Sequence, residues 1–462
     1  MLSASWRLGL KDAGIVSSAA RKFASAASAS KPSAESVALK ETKLSRLDNG
    51  LLVVSADFGG PVSAVGLAFR AGSRYEPRTH LGIAHRLRNC IGLYAGEQTH
   101  IDLNYQVAFV GGELRTSLTK DLLLTEMTVL RDHLDTALRI VGSCGSVTDY
   151  PKWAIVDSDP AMNTDAFFYR QDYRRRLFDL VHSAAFHGSG LANPLMNVVD
   201  GRCRHFEPAE VCAYAAARLV ASDAAMVGVN VEHEYLAHFA SKYLDVSVDE
   251  AGVKTPSQYI GGDRRSQVDT HMAHVALVGQ GAAASDAKAS ATQSVLACLL
   301  GTGARASHTD GNGQGAVARA MAERSGGQPH SATAFSSSSS DAGLVGLHLT
   351  ASGDAPVSDM LKAALEAARQ FGSAVDDASL QAAKNQAKLD AYAAAEHSGE
   401  LLIEMATVSL ARGQYGPLSK TMQRIDAVSA EDVKKAATTA FAGPLSIGAL
   451  GRVEDIPLAT HW

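Results

Sequence analysis

The sequence predicts an α/β (α+β) fold built as two homologous mixed domains related by internal duplication. Three observations carry that prediction. Short apolar runs with strand character alternate with segments of helical spacing along the chain. A helix-then-strand pattern near residue 208 returns near residue 429. The length, 462 residues, exceeds the roughly 250 to 300 residues at which one core stops growing.

Residues 1–23 differ from the rest of the chain. Arg7, Lys11, Arg21 and Lys22 face a single acid, Asp12, in a background of Ser and Ala. Leu2, Trp6 and Leu10 recur at i+4, so a helix here would carry an apolar stripe with Arg7 and Lys11 on another face. No continuous apolar core of the secretory type is present, and the composition is that of a mitochondrial presequence. Arg21-Lys22-Phe23-Ala24 suits a processing site, with a loose segment over 24–43.

From Leu44 the pattern turns to strands. Leu51–Val54 and Val62–Phe69 are apolar runs separated by Gly59-Gly60-Pro61. The helix holding His85 follows, then a strand over Gly111–Leu118, and the spacing of Leu122, Met127, Leu130, Leu134 and Leu138 predicts a helix over Asp121–Val141. Helices are expected at Asp165–Phe186 and at Pro208–Ala221, with Pro208 in the first turn, and a strand at Met226–Val231.

The second half repeats this plan. The helix beginning at Pro208-Ala209-Glu210 and its following strand match Ser429-Ala430-Glu431-Asp432 and Leu445–Leu450, while Val62–Phe69 matches His274–Val278. The offset, roughly 220 residues, is too long for a solenoid unit and right for a domain. Domains are therefore expected at 44–245 and 270–455, joined by a polar linker over 246–269 that contains Pro256 and Gly261-Gly262.

Composition excludes several functions. A formal charge of -5 without clustered Lys and Arg gives no nucleic-acid footprint. No apolar run approaches the roughly 18 residues of a membrane span. Cys90, Cys144, Cys203, Cys212 and Cys298 form no Cys-x-x-Cys pair. They read as small buried hydrophobes in a reducing compartment, with no haem or iron–sulfur spacing.

The segment Thr79–Cys90 concentrates the functional question. An inverzincin helix reads His-x-x-Glu-His, two imidazoles on one face binding zinc and a glutamate activating water. Here those positions read His85-Arg86-Leu87-Arg88-Asn89. A guanidinium cannot act as base and an amide is no substitute for the second imidazole.

Leu81-Gly82-Ile83-Ala84-His85, Val110–Leu114, Leu180–Phe186, Leu191–Leu195, Ser340–Gly346 and Gln381–Lys388 together resemble the pitrilysin-type metallopeptidase family, over essentially the whole chain after the presequence. The resemblance implies that fold in both domains. It places a third ligand position near Asp165, one methylene shorter than the usual glutamate, and a substrate-gripping Arg and Tyr of which only the arginine is found, around Arg324–His330. The implied role is a non-catalytic structural subunit of the ubiquinol-cytochrome c reductase, complex III. It would sit peripherally on the matrix side of the mitochondrial inner membrane, with the paralogue core protein 1, cytochrome b, cytochrome c1 and the iron-sulfur protein. The alternative is the non-catalytic, presequence-binding subunit of a mitochondrial processing peptidase. No catalytic, cofactor-binding or metal residue and no cofactor are assigned.

Remaining candidates are weaker. His271 and His274 lie three apart on a strand and so point to opposite faces. His182 and His187 are five apart at a helix end. Gly301-Thr302-Gly303 and Gly311–Gly315 lack a P-loop ending, although the family resemblance puts a glycine-rich substrate-handling loop there. Ser336–Ser340 reads as a solvated polar run.

Overall fold

Two sheets with the same wiring organise the chain. The computed structural model describes residues 42–96, 98–199, 201–249, 252, 255–303 and 315–458. The expected presequence, nearly all of the 24–43 segment, and the Gly311–Gly315 loop apart from Gly315 lie outside the described residues.

The first sheet contains β1 (Lys43–Arg46), β2 (Leu52–Ala56), β3 (Val62–Phe69), β4 (Glu113–Leu118), β5 (Leu123–Leu130) and β6 (Ala224–Val229), in the order β1-β2-β6-β3-β5-β4. The second contains β7 (Gly262–Gln267), β8 (Met272–Gly281), β9 (His330–Ser338), β10 (Gly343–Ser352) and β11 (Ser446–Gly451), in the order β7-β11-β8-β10-β9. In each, the first and last long strands of the half run parallel, β2 with β6 and β7 with β11, and the other pairs named after them are antiparallel. Shared order and shared direction make the two halves copies of one plan.

Strands β3 and β8 show why the apolar runs are continuous. Val65, Leu67 and Phe69 enter the first half's own core, while Ala64 and Ala68 point the other way into a second apolar layer. Likewise Val275 and Leu277 face one layer and Ala276 and Val278 another. Both faces of each sheet are covered, so alternation of polar and apolar residues is lost.

The second layer is an exchange between halves. The helices used below are α1 (Ile83–Cys90), α2 (Leu134–Gly145), α3 (Asp159–Gln171), α4 (Tyr173–Ala185), α5 (Pro208–Arg218), α6 (Ala287–Leu300), α7 (Asp377–Glu396), α8 (Ser398–Arg412), α9 (Leu418–Asp426) and α10 (Ala430–Phe441). From the first half, α4 lays Leu177, Val181 and Ala185 on Ala276, Val278 and Leu450 of the second sheet. From the second half, α8 lays Leu401, Leu402, Met405 and Ala406 on Val54, Ala64, Ala68 and Val227 of the first. Glycine makes room at each contact. A Cβ on Gly66 would come within 2.6 Å of Leu402, and one on Gly448 within 3.1 Å of Val181. Neither half completes its sheet alone.

Four expectations change. Residues Asp121–Leu130 are not helical: β5 pairs along its length with β3, and only Leu134–Gly145 is helix. Leu123, Met127 and Val129 face one layer and Leu122 and Leu124 the other, and a doubly buried strand mimics a helix in apolar spacing. The segment 165–186 is two helices, broken where the Asp172 carboxylate accepts the Arg175 N–H at 2.9 Å and caps α4. The stretch expected as linker contains β7, paired with β11. Lastly, all five cysteines are free, but Cys203, Cys212 and Cys298 are only partly buried.

Candidate functional site

The geometry of α1 is set from its N-terminus. Gly82, at φ 93°, turns the chain into the helix, a conformation that glycine adopts without steric cost. The buried Glu76 carboxyl then receives the N–H groups of Gly82 (2.8 Å) and Ala84 (2.9 Å). These are otherwise unpaired donors at the positive end of the helix dipole. Burial pushes this carboxyl up to about 8, against the pull of those two N–H groups and Lys120.

Arg86 fixes the neighbouring wall. Its fully buried side chain donates through Nη1 to the Ile155 carbonyl (3.1 Å), Ser158 Oγ (2.8 Å) and Asp159 Oδ1 (2.5 Å). Asp159 opens α3. The guanidinium therefore sets where α3 stands, and with it the side chain of Asp165.

Asp165 is the focus of the site. Its Oδ2 is 2.8 Å from His85 Nε2, 2.8 Å from Arg88 Nη1 and 3.2 Å from Asn89 Nδ2. Positions 85, 88 and 89 share one helical face, so three groups of α1 converge on one oxygen. Burial alone would raise this carboxyl, but the His85 hydrogen bond, the Arg88 charge and the Asn89 amide hold it below its usual range. Arg88 also donates to Asn89 Oδ1 (3.1 Å) and to the Thr116 carbonyl of β4 (3.1 Å), while Asn89 donates to the His85 carbonyl (3.0 Å). Cys203 Sγ lies 4.0 Å from His85 Nδ1.

These residues do not fit zinc. A tetrahedral site needs several lone pairs aimed at one point, whereas Asn89 turns an N–H inward, Arg88 brings a positive charge and His85 Nε2 is engaged with Asp165. Among the described residues no group of three or more His, Cys, Asp and Glu side chains is placed to hold a metal ion.

The structure brings His85, Arg88, Asn89 and Asp165 together and leaves the other candidates apart. Arg324 ends the helix Ala316–Arg324 in the second half. His182 is buried in α4, its Nδ1 2.7 Å from the Phe178 carbonyl, and burial with nearby Lys120 lowers it to about 4. His187 lies 3.4 Å from Arg264. His274 stacks on His348 and packs against Tyr173.

The Ser336–Ser340 run does more than meet solvent. Ser340 donates its N–H to Asp121 (3.1 Å) and receives Arg74 Nη1 (2.9 Å), while Arg74 also pairs with Asp121 (2.7 Å), Asp341 (2.8 Å) and Ser257 (3.0 Å). This buried cluster joins the halves. Neither Arg74 nor Glu76 belongs to a motif, so sequence reasoning had no signal for them.

Both halves match sequence profiles of one family: "Insulinase (Peptidase family M16)" over residues 52–198 and "Peptidase M16 inactive domain" over residues 205–387. The chain belongs to the M16 peptidase family. Within it, the chain is similar to cytochrome b-c1 complex subunit 2 of Rattus norvegicus, 29% identical over 90% of this chain and 91% of the relative. The Homo sapiens protein of the same name gives 29% with the same coverage, and mitochondrial-processing peptidase subunit alpha of Solanum tuberosum gives 26% over 90% of this chain and 83% of that one. A chain of Complex III2 from Candida albicans has the same fold, with TM-score 0.78, 21% identity, and 89% and 96% of the two chains covered.

Proposed function

We propose that this chain is a non-catalytic core subunit of the mitochondrial ubiquinol-cytochrome c reductase, supporting assembly and stability of complex III in respiratory electron transport. One observation carries the non-catalytic part: the carboxylate facing positions 85, 88 and 89 of α1, Asp165, is saturated by His85, Arg88 and Asn89. In this reading His85-x-x-Arg88-Asn89 is a degenerate His-x-x-Glu-His. The metal ligands and the base are lost together, so no single reversion restores a peptidase.

Similarity to cytochrome b-c1 complex subunit 2 over nine-tenths of both chains supports the structural role. The partners would be core protein 1, cytochrome b, cytochrome c1 and the iron-sulfur protein. Attachment would be peripheral, on the matrix side of the inner membrane. No helix among the described residues is long and apolar enough to cross a membrane. Affinity purification of the tagged chain from mitochondria tests the proposal. Recovery with cytochromes b and c1 is expected. Recovery solely as a soluble heterodimer with a zinc-bearing peptidase subunit would overturn it in favour of a presequence-binding role.

A further inference from the structure

The duplication gives the α1 site a counterpart in the second half, and there the space is open. In the first half the site lies between the helix after the central strand β3 (α1), the helix before the exchanged helix (α3), and edge strand β4. The equivalent elements around β8 are α6, α7 and edge strand β9. Between them, α8 and α9 lies a cavity of about 590 Å³, within the range of small-molecule sites. At the position on α7 that corresponds to Asp165 on α3, Asp390 accepts from Gln386 at 2.8 Å and from the Cys298 thiol at 3.9 Å.

Three cations enter this cavity from its opposite side: Arg412 at the end of α8, and Lys420 and Arg424 on α9. None forms an ion pair among the described residues. Arg412 donates Nε to the Ala284 carbonyl at 2.6 Å, which orients the guanidinium and leaves both terminal nitrogens without a partner among those residues. Two nearby acids, Asp286 and Glu404, which lines the cavity, raise Arg412 through their charge but do not outweigh burial and Arg424, and neither is in ion-pair contact with it. Asp286 accepts the Lys288 and Ala289 N–H groups at 3.0 Å and caps α6. Burial pushes the Glu404 carboxyl up, opposed by Arg412. Burial and the charge of Arg424 in turn hold Arg412 below its ordinary value. Like charges facing a partly dry space are costly unless an anion joins them. The hydroxyls of Ser290, Ser336 and Ser338 also line the cavity.

We propose that this cavity binds a small organic anion, a phosphate ester or dicarboxylate. Arg412, Arg424 and Lys420 would grip its oxygens and the alanine-lined wall would accept its carbon part. A guanidinium offers paired N–H donors that match either oxyanion.

The test uses the full-length chain with glycerol 3-phosphate and succinate as probes, each against sodium chloride at equal ionic strength, read by calorimetric titration and by melting temperature. Saturable binding of at least one probe is expected, with at least tenfold weaker affinity in Arg424→Gln and in the Lys420→Gln/Arg424→Gln double variant. Their unliganded melting should not fall, because neither side chain has an ion-pair partner among the described residues and losing Arg424 relieves its repulsion of Arg412. Binding of the phosphate alone or of the dicarboxylate alone identifies the source. Arg412→Gln also breaks the Ala284 contact, so the other two positions decide the outcome. No binding above the chloride control, or equal binding by the double variant, would overturn the proposal.

Discussion

Replacing Arg74 with methionine removes the one cation of the cluster that joins the halves. The Arg74 side chain is 4% exposed, and its partners Asp121 and Asp341 are 11% and 29% exposed. Breaking a buried pair from one side costs about 3–5 kcal/mol, because the remaining charge stays desolvated. Water reaching Asp341 relieves part of that, so about 3 kcal/mol is expected for Arg74→Met. Asp341→Asn leaves the Arg74–Asp121 pair intact and should cost about 1–2 kcal/mol, the worth of a charged hydrogen bond. In the double variant the loss should fall short of the sum by about 1–2 kcal/mol.

Urea unfolding of the full chain at pH 7, followed by tryptophan fluorescence and circular dichroism, measures all three. The pH dependence fixes the sign independently. Asp341 is raised by burial but held lower overall by the Arg74 and Ser257 hydrogen bonds and the Arg74 charge. A depressed carboxylate contributes stability that is complete above its unfolded value, about 3.9, and lost as pH falls through the folded one. The coupling should therefore persist to about pH 5 and shrink below about 4. A loss under about 1 kcal/mol for Arg74→Met, or additivity within about 0.5 kcal/mol, would refute this account of how the halves are joined.

Three other outcomes are expected. A fragment ending at residue 245 lacks α8 and exposes Val54, Ala64, Ala68 and Val227, so it should aggregate or bind a hydrophobic dye; a monodisperse, cooperatively melting fragment would contradict the exchange of helices. His182 and His348 are both lowered to about 4, chiefly by burial. Their contribution is complete above the unfolded value near 6.5 and is lost as pH falls toward 4, so His348→Gln should flatten the stability profile across that window in pH-dependent denaturation. Elemental analysis should find no stoichiometric zinc in the wild-type chain or in Arg88→Glu, whereas R88E combined with N89H should bind it, because an imidazole pair at i and i+4 needs the guanidinium gone.

The duplication was legible in the sequence because turn and helix-start chemistry is local. Ser429 and Glu207 each open a capping box before matching helices, and such signals survive divergence. The ring of contacts around Asp165 was half legible. A helical period places His85, Arg88 and Asn89 on one face, but nothing local says that Asp165 stands opposite, because Arg86 places α3 through the Asp159 turn.

The exchanged helices were not legible at all. Residues 173–185 and 398–412 have ordinary helical patterns, and no periodicity records which sheet a helix covers. The small residues opposite them carry the trace: Ala64, Gly66 and Ala68 in β3, and Ala276 and Gly448 in the second sheet. A strand with small residues on one face and large ones on the other has a helix lying close on the small side. That exchange also explains how the fold can outlast its chemistry. Sheet burial depends on α4 and α8 reaching across, whereas Asp165 is bonded to α1, so changes at positions 85–89 leave the joint between the halves intact.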